Sequence, residues 1–333
     1  METIKNSLRR TKRRRFWTLA ILFWVIVLGV GAYNAQGLRD WWTLRSYHAP
    51  VTVSAIASDD TMTAAARRIF YVNKPAVSTK AAFAPQCPSG TEQTVVLGCY
   101  KPRQDGIFVL QVSDPRLSGV EQVTSAHELL HAAYDRLSGR QKSQVNAWLL
   151  DYYQHGLKDP VIKSQLAAYR QTEPHDVVNE MHSLFGTEVT TLPPALENYY
   201  RRYFTDRTRV TAYYDAYQAA FTNRVSEIKR DDAQLKVWKQ QINAQKAELQ
   251  RQQQALTAQK AALDSRRASG NVTGYNAGVA GYNQAVKVYD DGVGVLTSLV
   301  DNYNALVQKR NSLVLETQAL TDEISAQVSP TGS

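Results

Sequence analysis

Cysteine and histidine are scarce in this chain: two and six in 333 residues. Two cysteines exclude a zinc ribbon, which needs four ligands. Cys87 and Cys99 instead read as a short loop closed by a disulfide in an oxidising compartment. Net positive charge is also slight over most of the chain, although the formal total is +9. Seven of the 39 Lys/Arg (Lys5, Arg9, Arg10, Lys12, Arg13, Arg14, Arg15) stand in residues 1–15, beside one acid, Glu2. The remainder carries 32 basic against 29 acidic residues, an excess of three. A nucleic-acid surface needs cations clustered on the folded body, so no nucleic acid is expected as a partner.

One long hydrophobic run is present. Phe16 to Tyr33 holds eighteen residues without a charge, directly after the basic block. That length is near the minimum for a helix crossing a bilayer, and the flanking cations set its orientation. The expectation is a cytoplasmic tail over 1–15, a single transmembrane signal anchor over 16–33 and an extracytoplasmic remainder in the cell membrane. Ala32-Tyr33-Asn34-Ala35 lacks the small-residue pair a signal peptidase wants, which favours an uncleaved anchor. Residues 34–58 read as a juxtamembrane linker, with Trp41 and Trp42 at the headgroups.

A catalytic unit is expected over 59–221. Asp59/Asp60 can cap a helix running to about Phe70. Thr94–Tyr100 and Ile107–Val112 are β-branched and aromatic runs, and Lys101–Gly106 between them reads as a turn. From about Val120 the chain turns helical. Residues 222–328 are different in kind. Ile228, Leu235, Ile242, Leu249, Leu256 and Leu263 recur every seven residues. After a break at Ser269-Gly270-Asn271, Val279, Val286, Val293, Val300, Val307 and Val314 do the same, with Leu299, Leu306, Leu313 and Leu320 as a further column. This predicts an antiparallel coiled-coil hairpin, followed by a tail over 329–333. Its surplus apolar column suits packing, self-association or a protein partner. The whole reads as an α+β fold: an N-terminal transmembrane helix, a small, mostly helical domain with a short sheet, and the hairpin.

The chemistry lies in His127-Glu128-Leu129-Leu130-His131. Residues four apart share one helical face, so both imidazoles can reach one metal ion. Glu128, one step round, can hold and deprotonate a water there. The neighbours Ala126, Leu129, Leu130, Ala132 and Ala133 are apolar, and buried polar side chains need partners. A catalytic Zn2+ takes three protein ligands. The extended signature would place Gly and His three and six residues after His131; Tyr134 and Leu137 stand there, which excludes that class. The third ligand must come from downstream, and Glu180 in Val178-Asn179-Glu180-Met181-His182-Ser183 is the leading candidate. His155, His175 and His182 are its rivals. His175 or His182 could alternatively act as a cation stabilising an oxyanion, and so could Tyr199, Tyr200 or Tyr203 through their hydroxyls, although packing suits each tyrosine better.

The two motifs together resemble the zincin metallopeptidases, and the second resembles the Asn-Glu-x-x-Ser element that carries the third ligand in thermolysin-like gluzincins. The resemblance covers only these two short motifs. Where that family places an Asp after the Ser, this chain has Leu184. The resemblance implies a zinc peptidase hydrolysing a peptide or protein substrate, with His127, His131 and Glu180 as ligands and Glu128 as general base. Ile107–Val112 resembles the edge strand that pairs with extended substrates in zincins. Two alternatives stand beside this reading: a scaffold protein acting through the hairpin, and a peptidase acting on cell-wall peptides.

Overall fold

The computed structural model describes residues 23–25, 35–88, 96–103, 105–172 and 174–325. The chain divides into two bodies, one of residues 1–216 with 324–333 and the other of 217–323.

The first body is ordered along the chain as α1 (Ala35–Ser46), α2 (Val51–Asp59), α3 (Ala64–Val72), β1 (Ala76–Ser78), α4 (Lys80–Phe83), β2 (Gly98–Lys101), β3 (Gly106–Leu110), a 3-10 turn at Pro115–Leu117, α5 (Val120–Asp135), α6 (Gly139–Asp151) continued by a π turn, α7 (Pro160–Thr172), α8 (Val177–Thr187), α9 (Pro194–Tyr200) and the start of α10 (Arg207–Ala268). Local chemistry sets several boundaries. Thr63 accepts from the Ala66 N–H to start α3. Ser138 and Gln141 form a reciprocal capping box at α6, satisfying donors that a helix start leaves open. Helix α5 is central: Val120, Val123, Ala126, Leu129, Leu130, Ala132 and Ala133 are all buried, and it packs on α8, α3, α2 and the sheet. At the far end Arg207, 5% exposed, pairs with Glu197 and donates to the carbonyls of Val189 (2.6 Å) and Thr190 (3.0 Å). It thereby ties the start of α10 to the segment after α8.

The sheet order is β1-β3-β2, with β1 parallel and β2 antiparallel to β3. Cys87 and Cys99 are joined in a disulfide, which staples the segment after α4 to β2. Phe83, Cys87 and Leu110 form a small core beneath it.

In the second body α10 continues and turns back as α11 (Val272–Ile324). Lys309 reaches Glu227 (2.6 Å) and Asp231 (3.3 Å), and Arg310 reaches Asp232 (2.9 Å). These cross-helix pairs fix the antiparallel register. Ile242, Leu249 and Leu263 are buried in the seam, whereas Val293 and Val314 of the valine column stay exposed.

The α+β expectation with a transmembrane helix is corrected. The fold is predominantly helical with a small sheet: strands of three to five residues stand against helices of 62 and 53. No helix among the described residues is long and apolar enough to cross a membrane, so a membrane-spanning helix is not supported. Of the run 16–33 only residues 23–25 are described, and the rest lies outside. The tails 1–15 and 329–333 lie outside too, as does 89–95 before β2. The expected linker is instead helical from residue 35: α1 lies within it and α2 ends one residue beyond it, at Asp59, with Val53, Ile56 and Ala57 buried. Asp59 ends α2 and Asp60 caps its C-terminus; the following helix is capped by Thr63 instead, because Asp60 points into the core.

Asp60 is 0% exposed, and neither carboxylate oxygen has a hydrogen-bond partner. Burial pushes its pKa well above 3.8, the neighbouring Asp59 adds to this, and Arg209 opposes it. Above the unfolded value the unfolded chain ionises while the folded one keeps its proton, so stability falls as pH rises. Asp60→Asn removes that penalty. It is expected to stabilise the protein at pH 7, where the penalty for keeping the buried carboxyl protonated is largest. Thermal melts of both forms at pH 7 and pH 3 check this: the gain should vanish at pH 3, and an equal Tm at pH 7 would refute it.

Candidate metal centre

Helix α5 places His127 and His131 one turn apart, with ring centroids 4.7 Å from each other. Helix α8 packs across α5 and brings in Glu180 from its first turn. His127 Nε2 lies 3.6 Å from Glu180 Oε2, and His131 Nε2 lies 3.4 Å from Glu180 Oε1. Donor atoms of the three residues all fall within 4.8 Å of one another, the one such cluster among the described residues. Bonds of about 2.0–2.2 Å to a tetrahedral ion put neighbouring ligand atoms roughly 3.3–3.6 Å apart; each ring keeps that spacing from a different oxygen of Glu180. Glu180 is 6% exposed, and among the described residues the nearest donor to its Oε2 is His127 Nε2 at 3.6 Å, beyond ordinary hydrogen-bond length. A buried carboxylate facing two imidazoles, with no shorter partner for Oε2, is a donor set that could hold a cation. Burial opposes ionisation of Glu180, but the charge of His131 and the hydrogen bond and charge of His127 outweigh it and lower its pKa.

Glu128, also 6% exposed, sits on the adjoining face of α5 against β2. Burial pushes its pKa up to about 7; His131 and a hydrogen bond from the Tyr100 backbone N–H oppose the shift, and Glu180 adds to it. Gly98 makes this approach feasible. A Cβ there would lie 2.5 Å from Thr124 Cγ2 and 3.0 Å from Glu128 Cγ, so a larger residue would push strand and helix apart.

The rival ligands are elsewhere. His155 is exposed and pairs with Asp151 at 3.1 Å. His175 is exposed in the turn before α8. His182 is fully buried; burial, with the charges of His131 and His127, holds its pKa down to about 3. A neutral, enclosed imidazole does not serve as an oxyanion cation. Its Nε2 meets Tyr199 Oη at 2.8 Å, which meets Tyr203 Oη at 3.2 Å, while Tyr200 donates to the His182 carbonyl at 2.7 Å. The three tyrosines are thus packed and hydrogen-bonded beneath α8. Leu184, where the resembling family has Asp, is 2% exposed and supplies no polar contact.

The expected substrate-pairing strand is also corrected. β3, within Ile107–Val112, is the central strand with partners on both sides. The sheet edge beside α5 is β2, whose Tyr100 N–H turns toward Glu128 rather than into the ladder. Sequence reasoning missed Gly98 and Glu188 as well. A glycine inside a β-branched run was the available signal for the first. Glu188, half-buried after α8, is pushed up to about 7 by burial despite His127 and hydrogen bonds from Tyr214 and Gln165; no local pattern marks it.

Close packing of α8 on α5 holds the triad together, and Gly186 permits it. A Cβ at Gly186 would lie 2.3 Å from Leu130 Cδ1 and 2.8 Å from Tyr200 Cε1, both in fully buried side chains. Overpacking costs about 1–3 kcal/mol, more than the ~1 kcal/mol Ala gains over Gly in a helix. Gly186→Ala is therefore expected to lower Tm; an unchanged or raised Tm would count against this packing.

No protein-family model matches the chain, and no curated protein or solved structure matches it either.

Proposed function

We propose that this chain is a zinc-dependent peptidase that hydrolyses peptide bonds in a peptide or protein substrate. The observation that carries the reading is the convergence of His127, His131 and Glu180 donor atoms within 4.8 Å, with a buried glutamate, Glu128, between the two histidines in sequence. Two imidazole nitrogens and one carboxylate oxygen are the donor set of a catalytic zinc site, which leaves a position open. A zinc ion held there supplies Lewis-acid polarisation of a carbonyl and brings the pKa of a water toward neutrality.

The protein's own part falls to Glu128. Its carboxylate is shielded from solvent, is held against β2 by the Tyr100 N–H, and titrates near neutrality. A general base works best with its pKa close to the operating pH. Glu128 takes the proton of the attacking water and delivers it to the nitrogen of the leaving amine, so one residue serves both halves of the reaction. The outer edge of β2 offers backbone groups to an extended peptide, giving affinity with little demand on sequence.

The test combines metal analysis of the purified full chain with cleavage of a peptide library. Zinc at one per chain and cleavage abolished by a chelator are expected. A chain that retains no zinc, or one that holds zinc and cleaves no peptide, overturns the proposal.

A further inference from the structure

Helix α1 turns one face outward. Leu38, Trp41 and Trp42, at i, i+3 and i+4, are 59%, 54% and 72% exposed. Residues so spaced form a single stripe. Arg39 and Arg45 flank it, both exposed, and the Arg45 guanidinium lies 5.4 Å from the Trp41 ring centroid.

The opposite side of α1 is locked. Asp40, 3% exposed, accepts from both terminal nitrogens of Arg136 at 2.8 and 3.0 Å, and from Arg68 Nε at 3.3 Å. Arg68 also donates to the Gly37 carbonyl at 3.0 Å. Arg136 is the C-cap of α5, the helix that carries His127 and His131. A bidentate guanidinium–carboxylate pair fixes direction as well as distance. The aromatic face therefore holds a set orientation relative to the metal helix.

Two adjacent tryptophans and a leucine exposed beside arginines are unusual for a water-facing helix. They match the bilayer interface, where an indole ring sits at headgroup level and a guanidinium meets phosphate. The sequence just before α1 has the same character: the uncharged run Phe16–Tyr33 is separated from Ala35 by Asn34 alone, and the seven cations of 1–15 precede it. We propose that α1 rests on an anionic lipid surface, with Leu38, Trp41 and Trp42 at the boundary between headgroups and acyl chains and Arg39 and Arg45 on lipid phosphates. The Asp40–Arg136 pair then sets how α5 is presented to that surface. This holds whatever reaction the metal centre performs.

The test uses the full chain carrying Trp17→Phe and Trp24→Phe, so that emission comes from Trp41, Trp42, Trp148 and Trp238. Vesicles of phosphatidylcholine and phosphatidylglycerol with brominated acyl chains are added. The expected result is a blue shift with quenching, stronger with phosphatidylglycerol than without, and loss of the quenchable fraction when Trp41→Phe and Trp42→Phe are added. A quenchable fraction unchanged by those two substitutions overturns the proposal. So does a blue shift that follows protein concentration without vesicles, which would assign the face to a second copy of the chain.

Discussion

Glu128→Gln is expected to slow peptide hydrolysis by about 10²–10⁴-fold, the usual contribution of a positioned general base, while the chain keeps its zinc. The substitution is nearly isosteric, so the amide oxygen can still accept the Tyr100 N–H that the carboxylate now receives. Gly98 and Thr124, against which the side chain lies, need not move. What the amide lacks is a lone pair basic enough to take a proton from water. Glu128 is not among the three residues whose donor atoms converge, and this separates it from the ligands. Single-turnover cleavage of a peptide, with metal content measured on the same sample, checks both halves. Undiminished cleavage would remove Glu128 as the base. Cleavage and zinc lost together would give it a place in metal binding instead.

The pentamer and its geometry were legible because an i, i+4 pair on a helix is a local fact: the residues that carry it also form the helix. Glu180 could be read from a short motif on another helix, and α8 brings it to both imidazoles. The contribution of β2 was not legible. Which of two neighbouring strands becomes the sheet edge depends on β1, a three-residue strand at Ala76–Ser78 that pairs with Phe108–Leu110 and carries too little pattern to announce itself. Asp60 misled in another way. An aspartate before an apolar stretch reads as a cap exposed to water, yet here it closes α2 and is enclosed by the core. Residues 34–58 read as linker because Trp41, Trp42 and Leu38 do face outward; the buried partner of that helix is a charge, Asp40, which hydropathy cannot flag as interior. The α+β label failed on proportion, since the hairpin's length was visible in its heptads while the strands proved short.

On the proposed function, Glu180→Ala is expected to weaken zinc binding by more than about 100-fold, because even outer-shell partners of zinc ligands are worth 10–100-fold and the proposal makes this residue one of three donors. Both of its oxygens face the histidines, at 3.4 and 3.6 Å, so no neighbouring group can replace them without moving α8. The rivals cannot step in: His155 and His175 are exposed and away from the cluster, and His182 is committed to Tyr199. Thermal melts over a zinc titration read the loss directly. A ligand at 100 times its Kd stabilises the folded state by about 2.7 kcal/mol, so the wild-type Tm should climb with added zinc while that of the variant stays flat. His155→Ala serves as the control and should climb like wild type. A variant at 180 whose Tm still rises with zinc at wild-type concentrations would show that the carboxylate is not a ligand. The spacing it keeps from the two imidazoles would then need another cause, and the most direct one is a protonated histidine paired with Glu180.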